Sequence, residues 1–130
     1  MQVVFFGLVT FCVMMNQVKQ EFVKKPAEGQ PWDVAIIGSG PAGLTAAIYT
    51  TRGAASTIIL GGDNWGGQLM LTTTVDNYPA VPGIQGPDLM QRMREHALMF
   101  GAEFVQENIF SVDLSKSPFQ VKTASREITT

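Results

Sequence analysis

A single cysteine, Cys12, stands in 130 residues. A disulfide framework, a thiolate metal cluster and a Cys-x-x-Cys redox pair therefore cannot be built within the chain. One histidine is present, His96, with no cysteine or second histidine beside it. It reads as structural or solvent-facing, and neither a catalytic nor a metal-binding role is assigned to any residue. Charge is sparse, at 15% of residues, with a net charge of −2. The basic residues are scattered rather than massed, so no nucleic-acid partner is expected. No apolar run reaches the about 20 residues that a membrane span takes. The longest, 3–15 (VVFFGLVTFCVMM), has no Lys or Arg ahead of it and no clear small-x-small site behind it, which a secretory signal normally shows. It reads as an extension or a misassigned start. The alternative is a membrane-associating or signal-like segment. Residues 16–31 read as a polar linker broken by Pro26, Gly29 and Pro31.

What is present centres on 33–51, DVAIIGSGPAGLTAAIYTT. Val34, Ala35, Ile36 and Ile37 form a short apolar run that reads as a buried parallel strand. Gly38, Ser39, Gly40, Pro41, Ala42 and Gly43 follow at once and spell G-x-G-x-x-G. Leu44, Ala47, Ile48 and Thr51 then recur at helical spacing. Strand, glycine turn and helix together are the context that a dinucleotide fingerprint demands. Gly38 permits the tight turn, Gly40 lets backbone approach a pyrophosphate, and Gly43 lets helix pack closely on strand. The helix points its N–H groups and positive dipole end at the phosphates. Pro41 falls in the first turn, where a missing N–H costs little.

Further along, this helix is expected to end near Arg52, with Gly53 as a left-handed cap. Residues 56–60 (STIIL) read as the second parallel strand, making a right-handed βαβ unit. A dinucleotide fold usually places an acidic residue at the end of that strand, on the ribose. Here Gly61 and Gly62 stand there, with Asp63 next. Asp63 reads as a ribose ligand or a solvated loop charge, the latter favoured. Residues 61–68 (GGDNWGGQ) make a second glycine-rich loop, read as shaping a ligand. Trp65 either covers a ring of that ligand or shields apolar surface. Residues 69–75 (LMLTTTV) read as extended, and 76–86 as loop. A second helix starts at Pro87, buries Leu89, Met90, Met93, Ala97 and Phe100, leaves Gln91, Arg92, Arg94 and Glu95 wet, and closes at Gly101. Strands are expected over 102–106, 109–114 and 119–123, with a partner beginning at Arg126.

From Trp32 onward the chain resembles the N-terminal part of bacterial-type, low-molecular-weight thioredoxin reductases, flavoproteins of the pyridine nucleotide–disulfide oxidoreductase class. Four stretches carry the likeness: the glycine turn with Ile37, then Gly66-Gly67-Gln68-Leu69, then Val75-Asp76-Asn77-Tyr78-Pro79, then Val112-Asp113-Leu114 with Pro118-Phe119. The resemblance implies an α/β, Rossmann-like FAD-binding domain over 32–130, incomplete in this chain. Its parallel sheet would carry flanking helices and a β-meander, and 1–31 would be extension and linker. It further implies FAD on Gly38, Ser39, Gly40, Pro41, Ala42 and Gly43 through its pyrophosphate. Gly61, Gly62, Gly67 and Gln68 would line the adenosine and flavin side, Asn77 would touch the flavin half, and the backbone near Ile109 would meet the adenine. Two departures stand out. Gly61-Gly62 replaces the acidic ribose ligand of many relatives, and Ala80 stands where the family usually has glycine.

By the same resemblance, a complete protein would carry an NADPH domain holding the Cys-x-x-Cys pair, would reduce thioredoxin or a similar small redox protein, and would be a cytoplasmic homodimer. This chain holds no residue able to exchange electrons with a disulfide. The alternatives are a ferredoxin- or flavodoxin-NADP reductase of thioredoxin-reductase type, and a truncated, non-catalytic FAD-binding module. A plain NAD(P)-binding Rossmann protein is disfavoured by the missing acidic strand end. FAD binding by the chain alone is expected to be weak or absent.

Overall fold

The computed structural model describes residues 25–130; the apolar segment 3–15 and most of the linker lie outside the described residues. Strand β1 (Val34–Ile37) leads through the glycine turn into helix α1 (Pro41–Arg52) and then strand β2 (Thr57–Leu60). A short 3-10 turn (Gly67–Leu71), helix α2 (Gly86–Met99) and strand β3 (Glu103–Val105) follow. Strands β4 (Ile109–Asp113), β5 (Gln120–Thr123) and β6 (Glu127–Thr129) complete the described chain.

The first three strands form a parallel sheet in the order β1-β2-β3, and the last three an antiparallel meander in the order β4-β5-β6. Side chains alternate between the two faces of a strand, and β2 shows how the layers use this. Ile59 joins the core built by Leu44, Ala47 and Ile48 of α1 with Leu89, Met90, Met93 and Ala97 of α2. Its neighbours Ile58 and Leu60 point the other way, onto Val121 and Ile128 of the meander. Helices thus cover one face of the sheet and the meander covers the other, which is why all four residues of β2 are buried.

β1 differs from expectation. It is only half-buried, and Ile37 is 59% exposed, because β1 pairs with β2 on one side and has no partner strand on the other among the described residues. Its amino end is pinned by Asp33, whose carboxylate accepts from the Ser56 N–H at 2.7 Å and the Ser56 hydroxyl at 2.8 Å.

The helix ends also correct the sequence reading. Gly53 has φ −75°; the left-handed residue after α1 is Ala54, with φ +63°. The Ala54 N–H donates to the Thr51 carbonyl and the Ala55 N–H to the Thr50 carbonyl, a Schellman closure one residue later than expected. After α2 the same closure falls on Gly101, as expected, with φ +94°. The segment 69–75 is not extended. Gly66, left-handed at φ +83°, leads into the 3-10 turn, and only Val75 makes a β-bridge, to Ile84. Gly86 fixes this turn against α2, since a Cβ there would lie 1.9 Å from the Leu69 carbonyl oxygen. Ala80 takes φ +70°, a conformation that glycine adopts without strain.

Candidate functional site

The parallel register aligns Ile37 with Leu60, and Leu60 with Val105, so three strands end on one edge. The ladder continues one residue further. The Gly38 N–H donates to the Leu60 carbonyl at 2.9 Å, and the Gly61 N–H to the Val105 carbonyl at 2.8 Å. The glycine turn, the second glycine loop and the chain after β3 therefore lie side by side. This is the carboxyl edge of a parallel α/β sheet, where such folds place their ligands.

Within the turn the glycines divide the work. An ideal Cβ on Gly38 or Gly40 meets nothing within 4 Å, whereas one on Gly43 would lie 2.2 Å from the Gly38 carbonyl oxygen. Open space lies before the first two, and helix-to-turn contact fills the third. Gly40 is the N-cap of α1, with Pro41 in the first turn, no capping side chain and no acidic residue there. The free N–H groups at this end and the helix dipole therefore meet the open cradle, which suits an anionic group such as a pyrophosphate. Ala42 is exposed at the same end.

Ser39 is turned inward and is 4% exposed. Its hydroxyl donates to the Gly61 carbonyl at 3.1 Å and accepts from the Gly66 N–H at 3.0 Å. Gly62 follows with φ +69°, and a Cβ there would sit 3.1 Å from Asn108 Oδ1. Gly67 faces open space, and with Gln68, Asp63, Trp65, Met70 and Gln106 it lines a groove of about 550 Å³.

Asp63 is held at this edge. Its N–H donates to Asn108 Oδ1 at 3.1 Å, Asn108 Nδ2 bonds its carboxylate, and Gln106 Nε2 reaches its carbonyl at 3.4 Å. Sequence reasoning missed Asn108 and Gln106, because their role depends on which strand lies next to β2. Asn108 also brings the start of β4 to the second loop. Ile109 pairs with Thr123 and packs under the sheet.

Trp65 packs inward. Its ring meets Phe104 edge-on at 6.0 Å, and the Arg94 guanidinium lies 4.7 Å from the Trp65 ring centre and 4.2 Å from that of Phe104. Arg94, expected on the wet face, is thus spent on two rings. Asn77 is exposed, and its side chain makes no hydrogen bond among the described residues. It lies on the loop whose Tyr78 packs beside Thr45 and Ile48 of α1. His96 is exposed and tilts against Phe100 at 5.2 Å.

Beyond the edge, Glu107 accepts from the Thr123 hydroxyl at 2.6 Å and the Ser125 hydroxyl at 2.8 Å. These bonds, aided by the nearby Arg126 charge, hold its carboxyl below the ordinary carboxylate range. This cluster ties the chain just after β3 to the β5–β6 turn. No helix among the described residues is long and apolar enough to cross a membrane. No group of three or more His, Cys, Asp or Glu among them could hold a metal ion.

Sheet order, glycine turn and open cradle define a Rossmann-type nucleotide-binding α/β fold. Comparison with known proteins narrows this. The profile of the pyridine nucleotide-disulphide oxidoreductase family matches residues 32–130, and the chain belongs to that family. It is 50% identical over 94 residues to a thioredoxin reductase of Rickettsia bellii, covering 72% of this chain and 30% of the relative. To the NADPH-dependent thioredoxin reductase 3 of Arabidopsis thaliana it is 46% identical over 101 residues, covering 74% of this chain and 19% of that protein.

Among solved structures, the thioredoxin reductase of Gloeobacter violaceus matches with a TM-score of 0.72 at 38% identity, over 76% of this chain and 34% of that one. A ferredoxin-flavin thioredoxin reductase of Clostridium acetobutylicum matches at 0.69 and 30% identity, over 78% and 35%. The chain thus spans about a third or less of the proteins it matches.

Proposed function

We propose that residues 32–130 are the FAD-binding part of a thioredoxin reductase-like flavoprotein oxidoreductase, preceded by an extension and linker over 1–31. The observation that carries this is the asymmetry of the turn. Gly38 and Gly40 front open space at an uncapped helix N-terminus, while Gly43 has none. A pyrophosphate fits such a cradle, and a glycine-rich turn with only a folding role would not require the opening.

In this reading the backbone of 38–43 holds the pyrophosphate, and Gly61, Gly62, Gly67 and Gln68 line the dinucleotide along the strand ends. The backbone near Ile109 closes the adenine side, and Asn77 serves the flavin half. FAD would supply the two-electron redox chemistry, and these residues would bind and orient it. The whole protein would draw on NADPH and reduce thioredoxin or a similar small redox protein, as a cytoplasmic homodimer. Support for that larger reading comes from the family alone.

Calorimetric titration of the 130-residue chain with FAD and with NAD+ tests the site. Weak, saturable FAD binding at least about tenfold tighter than that of NAD+ is expected. Equal affinity for the two, or no saturable FAD binding into the millimolar range, overturns the reading.

A ferredoxin- or flavodoxin-NADP reductase of the same fold is the second reading; the single cysteine, Cys12, lies outside the matched residues 32–130 and forms no Cys-x-x-Cys pair. The transcript beyond Thr130 separates the two. A second glycine motif with a Cys-x-x-Cys pair supports the thioredoxin reductase, and the same motif without the pair supports the alternative.

A further inference from the structure

Ser39 occupies the variable place between the first two glycines of the turn, yet its hydroxyl faces the other loop. One proton goes to the Gly61 carbonyl, and one lone pair accepts the Gly66 N–H. Gly66 is itself buried, so that N–H has no water to replace the bond. An ideal Cβ on Gly61 would lie 3.2 Å from the same oxygen, which shows how closely the loop is pressed onto it. Gly66 and Gly67 are both left-handed, at φ +83° and +65°. Two such residues in a row contribute no side chain to hold the loop in place.

We propose that the Ser39 side chain is a positioning group, not itself a ligand of the dinucleotide. Its hydroxyl latches loop 61–68 to the glycine turn, so that both present their backbone to the ligand in one arrangement. This rests on the dinucleotide reading above. A small group that both donates and accepts is needed at this spot. Alanine does neither, and it leaves the part-buried Gly61 carbonyl and the buried Gly66 N–H without their partner. The loop then relaxes, and binding must reorder it, which lowers affinity without removal of any ligand contact.

Amide hydrogen exchange by NMR on the full 130-residue chain, paired with FAD titration, tests this. In Ser39→Ala the Gly66 amide is expected to exchange at least about tenfold faster. The amides of Leu89, Met90 and Met93 in α2 hold their rates, and the Kd for FAD rises about tenfold. Ser39→Thr, which keeps the hydroxyl, returns both to within about threefold of the parent. Ser39→Cys, with a weakly bonding group of similar size, falls between and takes the place of alanine if that variant does not fold.

If the α2 amides accelerate in step with Gly66, Ser39 only stabilises the fold and the proposal fails. If FAD binding weakens while Gly66 keeps its protection, the hydroxyl touches the ligand directly. The latch is then wrong and the dinucleotide reading survives. If Gly66 responds as expected but neither parent nor variant binds FAD, the dinucleotide reading fails, and the positioning role falls with it.

Discussion

The helix-covered half of the molecule and the meander are held by different forces. From β1 to β3, backbone fits against backbone around a buried apolar layer. Gly43 sits on Gly38, Gly86 sits on Leu69, and ten buried side chains fill the space between helices and sheet. In the meander only Val121, Thr123 and Ile128 are buried, and Phe110 is 73% exposed. Polar pairs at its surface tie it down: Lys122 with Glu127, and Glu107 with Thr123, Ser125 and Arg126. Close packing penalises small errors of shape heavily, whereas solvated ion pairs contribute little each. Substitutions in the two halves should therefore differ in size.

The largest effect is expected at Gly43. A methyl group 2.2 Å from the Gly38 carbonyl oxygen cannot be accommodated unless α1 moves off the turn. Gly43→Ala should destabilise by about 3 kcal/mol, read as a fall in thermal midpoint of more than about 10 °C. Gly40→Ala sharpens the comparison within the same turn. Its Cβ meets nothing, so stability should change by less than about 0.5 kcal/mol. Any loss should appear instead in FAD affinity, measured by the same titration. An equal thermal loss in both variants would remove the distinction between contact and cradle.

Next in size come the helix ends. Both helices close with a left-handed residue, but α2 uses Gly101 at φ +94° and α1 uses Ala54 at φ +63°. Alanine tolerates the second value with modest strain and the first poorly. Gly101→Ala should cost about 1–2 kcal/mol. Ala54→Gly should stabilise by only about 0.5 kcal/mol, because the added glycine also loosens the unfolded chain. Urea unfolding measures both. A gain at Ala54 as large as the loss at Gly101 would show that the angle is immaterial.

The contrast also explains what the sequence could show. Leu44, Ala47, Ile48 and Thr51 were legible as one helix face, and Leu89, Met90, Met93 and Ala97 as another, because burial against a sheet imposes a helical period; Phe100, expected in the same stripe, is the partly buried cap beyond the helix. The glycine turn was legible because its chemistry is local. Segment 69–75 misled because β-branched threonines imitate a strand. What bends it is Gly66 upstream and the backbone of Gly86, nineteen residues beyond Gly67 in sequence but pressed against Leu69 in space. The Gly53 cap was misplaced by one residue, since composition favours glycine while the hydrogen bonds choose Ala54. Asn108 and the inward turn of Ser39 could not be foreseen, because each depends on a neighbour more than twenty residues away.

The smallest effect is expected in the meander, at Glu107. Its carboxyl is held below its ordinary value of 4.5 first by the Thr123 hydroxyl, then by that of Ser125, with the Arg126 charge adding to them. A carboxylate whose folded pKa is depressed stabilises the native state above its unfolded value, and this contribution is lost as pH falls through the folded value. Glu107→Gln removes the charge and keeps one acceptor oxygen. The variant should melt slightly below the parent at neutral pH, and the gap should close on acidification below about pH 4. Thermal melts across that range measure it. The site is open to solvent, so the gap should stay well inside the loss at Gly101→Ala. A gap that persists unchanged into acid would assign it to geometry rather than charge. The meander would then depend on close fit, as the helical half does.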